Sequence, residues 1–163
     1  MLFHSVLMSA KARVTPLRVG LTVPQSELSG LVLETRLQVR ISKHYKPGVG
    51  SAILLGDSTC VISCMEKNSN SFSPFFHSRI SEAIRNREII GDHVGTQEDI
   101  FHLASKENIS DLATRKSAMA EDCKMGSSWQ YGPNWLRTPR STWPVSRDFD
   151  MNTVPKEETK SKI

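Results

Sequence analysis

A short apolar run, residues 52–55, is closed by Gly56 and Asp57 and lies between two segments with helical periodicity. A run of this length beside a glycine is typical of a buried strand. The flanking segments repeat mostly apolar residues at the i, i+3, i+4, i+7 spacing of helices that bury one face. These residues are Leu28, Leu31, Val32, Thr35 and Val39 before the run, and Phe76, Ile80, Ala83 and Ile84 after it. A strand between two one-faced helices predicts an α/β fold.

Further short elements extend this pattern along the chain. Residues 5–14 are β-branched and apolar with partial alternation, and they predict an exposed or edge strand that Pro16 ends. Residues 99–105 predict a second short strand with an apolar-polar rhythm. Helices are predicted over residues 24–42, 58–66, 74–89 and 109–116. Beyond residue 116 the sequence has neither a helical nor a strand period.

The composition is that of an ordinary globular domain. The 163 residues are 38% hydrophobic and 23% charged, and 21 Lys and Arg against 17 Asp and Glu give a net charge of +4. This balance permits nucleic-acid binding without requiring it. No apolar run approaches the roughly 20 residues of a membrane-spanning helix, so an integral membrane protein is not expected. The first 26 residues match a signal peptide or a transit peptide only in part.

Three cysteines are present: Cys60, Cys64 and Cys123. An odd count without a convincing secretory signal predicts reduced thiols and a cytoplasmic location. Cys60 and Cys64 are four residues apart, but no second close pair of cysteines or histidines completes a zinc site. Buried thiols are therefore the expectation.

Three acidic residues occupy positions where carboxylates could gather. The predicted elements put Glu27 in a first helical turn, Asp57 directly after a strand, and Asp111 in another first turn. In an open α/β sheet, ligands bind outside the carboxyl ends of the strands, and carboxylates without histidines suit Mg²⁺, with Mn²⁺ as a substitute. Each residue also has a simpler explanation, because Asp57 could be an N-cap and the other two could complement a helix dipole. Spacing alone favours that simpler explanation.

Four longer segments carry a more specific pattern. "VLMSAKARVTPLRVGLTVPQSELSGLVLETRL" is followed by "GDSTCVISCMEKNSNSFSPFFHSRISEA", "HLASKENISDLATR" and "SSWQYGPNWLRTPRSTWP". The second segment contains an F-x-x-x-R-I-x-E pattern that ends in Arg79, Ile80 and Glu82. In this order, over about residues 5–145, the segments resemble the RNase H-like region of BEL/Pao-type retrotransposon polyproteins and the tract that leads towards integrase.

The resemblance implies a partial RNase H-like fold, a mixed sheet with flanking helices that lacks the first strands and has an irregular C-terminal tail. The family activity is cleavage of the RNA strand of an RNA–DNA hybrid, so this hybrid is the expected partner, and no membrane partner is expected. Glu27, Asp57 and Asp111 match the family's helix glutamate, strand-end aspartate and late aspartate. The resemblance implies that they hold two Mg²⁺ ions, one to activate water and one to stabilise the leaving oxygen. It favours a metal-ligand role for Asp57 over a cap.

The match departs from the family pattern in three places. Residues 24–28 read PQSEL and lack the arginine and leucine before the glutamate, and the late motif reads NISD with serine for alanine. Both of these changes look like drift. The larger departure is that no aspartate precedes Asp57, although an RNase H site takes its first aspartate from the opening strand. The chain is therefore expected to begin at the third strand and to be inactive alone. The strand at residues 51–55 would then expose an edge that could pair with another chain.

The expected organisation is a truncated RNase H-like domain over residues 1–117, a Trp/Gly/Pro-rich linker over 118–147 and a disordered tail over 148–163. The alternative function is a non-catalytic nucleic-acid-binding or protein-interaction protein derived from the retroelement. It would use Arg79, Arg85 and Arg87, or the tryptophans Trp129, Trp135 and Trp143. The arginines could equally be a solvated helix face, and the tryptophans are expected to pin the linker onto the domain.

Overall fold

A computed structural model describes residues 3–14, 20–46, 48–67, 69–96, 99–114 and 118–148. These residues form four α-helices and three strands, in the order α1 (Val23–Tyr45), β1 (Ile53–Gly56), α2 (Thr59–Met65), α3 (Pro74–Val94), β2 (Asp99–Leu103), α4 (Ser128–Tyr131) and β3 (Val145–Ser146). Short 3-10 helices join the later elements. The predicted α/β class is confirmed, and the strand and helices expected near residues 51–56, 24–42, 58–66 and 74–89 are all present.

The three strands form one mixed sheet in the order β1-β2-β3. β1 and β2 are parallel, with Ile53 opposite Asp99 and Gly56 opposite His102. β3 runs antiparallel to β2 and pairs Val145 with Leu103. Because β1 and β2 point the same way, their carboxyl ends lie at the same end of the sheet.

The core lies where α1 and α3 pack together over the sheet. Asn86 Nδ2 of α3 donates to Thr35 Oγ1 of α1 at 3.0 Å, and Ser42 Oγ of α1 lies 2.9 Å from His93 Nδ1 of α3. Both contacts join residues 51 positions apart, so the two helices run parallel. The apolar stripes predicted from sequence line this interface; Leu28, Leu31, Val32, Phe76, Ile80 and Ala83 are buried, and Ile84 packs against them.

Local signals fix where the long helices begin. Thr22 and Gln25 form a reciprocal capping box at the start of α1, in which each backbone N–H donates to the other residue's side chain. Ser73 caps α3 by accepting from the N–H of Phe76 at 3.4 Å, and Pro74 occupies the first turn, as the sequence predicted. Gly95 ends α3 in the left-handed conformation with φ of 77°, which costs a glycine little.

Two predicted elements take a different form. Residues 5–14 form no strand; they are extended, and the N–H of Leu7 donates to the Gln130 carbonyl at 2.6 Å. A strand needs a continuous ladder, and within the described residues this segment has no strand beside it. The predicted helix at 109–116 is a 3-10 helix, Ile109–Thr114, and its last two residues lie outside the described part. Asn108 Oδ1 accepts from the N–H of Ser110 at 3.1 Å, a local turn that competes with an α-helical start.

Two expectations drawn from composition can be compared with the fold. None of the three cysteines forms a disulfide; Cys64 is buried and Cys60 half-buried, whereas Cys123 is exposed, so the expectation of buried thiols is wrong for Cys123. Among the residues that the structure describes, no helix combines the length and the apolar character needed to cross a membrane.

The residues of the predicted linker contact the sheet. Trp135 and Trp143 meet edge to face with ring centroids 5.5 Å apart, and Trp143 Nε1 donates to the Thr138 carbonyl at 3.1 Å. Arg140 and Arg147 both lie over the ring of Phe101 in β2. The tryptophans thus contact the tract itself, and Arg140 and Arg147 contact the sheet, so the expected pinning by the tryptophans stays a prediction. The predicted tail lies outside the described residues, apart from Asp148.

Asp99 at the start of β2 binds this tract most directly. Arg140 Nη2 donates to Asp99 Oδ2 at 2.6 Å, and Arg147 donates to Asp99 Oδ1. The hydrogen bond from Arg140, followed by the charges of both arginines, lowers the pKa of Asp99. A lowered pKa means that the stabilisation is complete above about pH 4 and is lost as the pH falls through the lowered value.

We expect Asp99→Asn to loosen the tract at neutral pH and to red-shift tryptophan fluorescence, because Trp135 and Trp143 would gain contact with water. Asp99 is 37% exposed, so solvent screens both pairs and the cost in unfolding free energy should not exceed about 1 kcal/mol. Wild type should show the same red shift on acidification below about pH 4. Asp92→Asn, which removes an exposed charge on α3, is the control. Equal spectra for the two variants would contradict this role of Asp99.

Candidate active site

The candidate site lies at the carboxyl end of the parallel strand pair. Gln38 of α1 contacts Ile53 at the start of β1, whereas Glu27 contacts Ser58 beyond its end, so α1 runs antiparallel to β1. α3 runs parallel to α1, which places the first turns of both helices at this end. Residues 105–114 follow β2 directly and begin here as well. The fold thus brings Glu27 and the strand end at Asp57 to one end of the sheet, and the segment that carries Asp111 begins there.

Ser58 connects Glu27 to the end of β1. Its Oγ donates to Glu27 Oε2 at 2.7 Å and accepts from the N–H of Val61 at 3.3 Å, which makes Ser58 the N-cap of α2. Glu27 itself is exposed and lies beyond the first turn of α1, which contains no acidic residue. The prediction of a first-turn glutamate is therefore wrong in detail, because the helix begins at Val23. The helix dipole gives no reason for a carboxylate here.

Asp57 lies between the last strand residue, Gly56, and the cap, Ser58. The alternative that Asp57 caps α2 is wrong, since Ser58 performs that role. Asp57 is half-buried, and the described residues supply its carboxylate with no hydrogen bond or ion pair. Asp57 therefore directly precedes the residue that binds Glu27, and its carboxylate has no partner among the described residues that would explain it structurally.

Asp111 is held within its own segment. Asn108 Nδ2 donates to Asp111 Oδ1 at 3.4 Å, and the N–H of Asp111 donates to the Asn108 carbonyl at 3.2 Å. Across the described ranges, no three His, Cys, Asp or Glu side chains lie close enough to hold one metal ion. The structure brings Glu27 to the strand end at Asp57 but does not unite both with Asp111 in one ligand group. Their roles as metal ligands stay a prediction.

The outer edge of β1 faces away from β2. Asp99 N donates to the Ala52 carbonyl at 3.3 Å, so the peptide groups of Ala52 and Leu54 point to β2 and those of Ile53 and Leu55 point outward. Gln38 Nε2 donates to the outward Ile53 carbonyl at 3.2 Å. Gln38 Oε1 is buried without a hydrogen-bond partner. In the part of the chain that is described, this edge has no neighbouring strand.

The three arginines predicted for nucleic-acid binding do not form one surface. Arg79 is half-buried; its guanidinium lies 3.5 Å from the ring centroid of Phe75 and donates to the Phe75 carbonyl at 3.3 Å. Arg85 is exposed, whereas Arg87 is half-buried. Arg85 and Arg87 are two positions apart, hence about 200° apart around the helix axis. No single flat ligand surface can therefore contact both of them and Arg79.

Sequence reasoning missed two further arginines near Arg79. Burial lowers the pKa of Arg79 most, and the charges of Arg13 and Arg36 lower it further. Arg36 binds Glu82 through two parallel hydrogen bonds, from Nε at 2.5 Å and from Nη2 at 2.8 Å, and the first of these lowers the pKa of Glu82. The charge of Arg36 alone could not have identified this pair, because only the packing of α1 on α3 brings it to Glu82.

Ser58→Ala should destabilise the fold by about 1 kcal/mol, the usual effect of removing an N-cap side chain. It also removes the hydrogen bond that holds Glu27 beside the strand end. Urea unfolding followed by circular dichroism measures the change. Ser78→Ala is a matched control, because the Ser78 hydroxyl is exposed and donates only to the carbonyl of Phe75 in its own helix. Equal losses for the two variants would contradict the special position of Ser58.

Comparison with known proteins bears on the same part of the molecule. Residues 2–58 match a family model described as the Pao retrotransposon-like RNaseH-like domain. The matched stretch includes α1, β1, Glu27 and Asp57. No curated protein and no solved structure matches the chain. The small mixed sheet with flanking helices is compatible with a partial RNase H-like fold. Over residues 2–58, the chain is therefore similar to the RNase H-like domain of Pao-type retrotransposons.

Proposed function

We propose that this chain is a segment of a retrotransposon polyprotein that takes part in cutting the RNA strand of RNA–DNA hybrids, and that it is inactive alone. One observation carries the proposal. The 2.7 Å hydrogen bond from Ser58 to Glu27 holds the helix glutamate beside the strand end at Asp57, and the family match covers both residues. This hydrogen bond supports a shared role for the two acids other than helix capping.

The donor chemistry suits a hard divalent cation. Glu27 and Asp57 offer carboxylate oxygens, the ligands that Mg²⁺ prefers and that Mn²⁺ also accepts. When bound, such ions would activate water and stabilise the leaving oxygen. Asp111, on the segment that follows β2 at the same end, is the third proposed ligand. A side-chain hydrogen bond from Asn108 to Asp111, at 3.4 Å, lies within the same segment.

The proposed inactivity of the isolated chain follows from the number of ligands that two-metal catalysis needs. The ligands that the described residues bring together are too few to fix two ions. A misplacement of about 1 Å already costs about 10²-fold in rate. We propose that a further strand with a carboxylate pairs with the outward peptide groups of Ile53 and Leu55. An N–H from that strand would also satisfy the buried Gln38 Oε1.

Selective binding tests the hybrid as the ligand. We expect the chain to bind a short labelled RNA–DNA hybrid more tightly than a DNA duplex of the same sequence, as fluorescence anisotropy can measure, because a hybrid presents 2′-hydroxyls in a wide, shallow minor groove. Equal affinity for the two duplexes would favour the alternative, a general nucleic-acid-binding protein. Absence of binding to either would contradict both.

A further inference from the structure

Two arginines from separate helices share one carboxylate beside the early turns of α3. Arg36 of α1 binds Glu82 of α3 through two hydrogen bonds, and Arg79 lies three residues before Glu82, on the same side of the helix. The charge of Arg36 acts on Arg79, as does that of Arg13 from the N-terminal segment. Positive charge therefore exceeds the one carboxylate that these two guanidinium groups share.

The guanidinium group of Arg79 has unused hydrogen-bond donors. A guanidinium carries five N–H groups, and among the described residues the Phe75 carbonyl is the acceptor that Arg79 uses, at 3.3 Å. Its stacking on the Phe75 ring holds the plane of the group in place and removes one of its faces from water. A partly buried cation with unused donors, next to other cations, is stabilised by an anion more than a solvated surface arginine is.

Arg36 shows the geometry in which such an anion can be held. Its two parallel hydrogen bonds to Glu82 form the fork that guanidinium groups offer equally to carboxylates and to phosphates. The pair is open to solvent, since the side chains of Arg36 and Glu82 are 52% and 28% exposed. A phosphate group could therefore reach Arg36 in competition with Glu82.

We propose that Arg36 and Arg79 form a binding site for the phosphate groups of a nucleic-acid backbone, with Glu82 as an internal competitor for Arg36. The identity of the anion rests on the proposed function. Arg79 lies in the early part of α3, at the end of the domain that carries Glu27 and Asp57, so a bound backbone would be held on the same side of the molecule as the candidate site. The set differs from the trio predicted from sequence in that Arg85 and Arg87 are left out.

The first test is the affinity of the full chain for a short labelled RNA–DNA hybrid, measured by anisotropy over a series of KCl concentrations. Arg79→Gln should weaken binding about tenfold and reduce the slope of log K against log salt by about one, as expected for a lost phosphate contact. Arg40→Gln is the matched control; Arg40 is an exposed arginine of α1 that is not among the charges acting on Arg79. Equal effects of the two substitutions would overturn the site and leave the proposed hybrid binding intact.

A second variant should change the affinity for the hybrid in the opposite direction. Glu82→Gln should tighten binding several-fold because it frees the fork of Arg36, whereas Glu88→Gln, which removes an exposed charge from the same helix, should change affinity less than about twofold. Equal changes for Glu82→Gln and Glu88→Gln would also overturn the site. Circular dichroism confirms that each variant is folded.

Inorganic polyphosphate serves as the other probe, because it shares the phosphate chemistry without bases or sugars. Hybrid binding that depends on Arg79 supports the proposal. Binding of polyphosphate that depends on Arg79, without binding of the hybrid, would show an anion site and overturn nucleic acid as its ligand. Arg79-independent binding of both probes would overturn the site itself.

Discussion

The 163-residue chain should leave a labelled RNA–DNA hybrid intact in Mg²⁺ or Mn²⁺, whereas a longer chain that adds a carboxylate-bearing strand to the outer edge of β1 should cleave it. The expected difference exceeds about 10²-fold, because a missing ligand displaces a cation more than the misplacement of about 1 Å that already costs this much. Denaturing gels of the labelled RNA strand measure the cleavage.

Activity in the longer chain should depend on Asp57. Asp57→Asn keeps the size of the side chain but removes the charge that a divalent cation requires, so cleavage should fall to background. Asp92→Asn, at an exposed position of α3 away from the strand end, should leave cleavage unchanged. If the 163-residue chain alone cleaves the hybrid robustly and Asp57→Asn abolishes that cleavage, the proposed need for a further strand is contradicted.

Ile80→Ala should reduce the free energy of unfolding by about 2–5 kcal/mol. Ile80 is completely buried in the core between α1, α3 and the sheet. Native domains of this size have only about 5–15 kcal/mol in total, so this loss should remove a large fraction of the stability. Urea unfolding followed by circular dichroism measures the loss.

Ile89→Ala makes the same chemical change on the same helix. Ile89 is 41% exposed, and its truncation should cost well under about 1 kcal/mol. Similar losses at the two positions would mean that α3 does not bury the face that contains Ile80. The pair therefore tests the packing of the domain independently of any activity.

The helical part of the fold could be predicted because its signals are local. The spacing of Leu28, Leu31 and Val32 predicted the buried face of α1, and Ser73 with Pro74 predicted the start of α3. A strand is harder to predict, since it forms only when a neighbour completes its hydrogen bonds. Residues 5–14 have strand-like composition and remain an extended segment, whereas the two residues of β3 pair with β2 although their sequence has no period.

The candidate site was predictable in its residue types but not in its contacts. The position of Asp57 after an apolar run predicted a carboxylate at a strand end, and the structure places it there. That Ser58 rather than Asp57 caps α2, and that its hydroxyl reaches Glu27, depends on the relative placement of α1 and β1. The ion pair between Arg36 and Glu82, close to Arg79 in α3, is also tertiary, so no motif in the sequence indicated it.

Anomalous diffraction from crystals of the longer chain soaked in Mn²⁺ would locate the metal directly. We expect an anomalous peak within coordination distance, about 2.0–2.2 Å, of carboxylate oxygens of both Glu27 and Asp57 at the carboxyl end of β1. The same crystals should show a strand paired with the outward peptide groups of Ile53 and Leu55. A peak at another place would contradict an RNase H-like metal site in this chain. The absence of any peak, with Glu27 still accepting a hydrogen bond from Ser58 and no metal bound to Asp57, would contradict it as well.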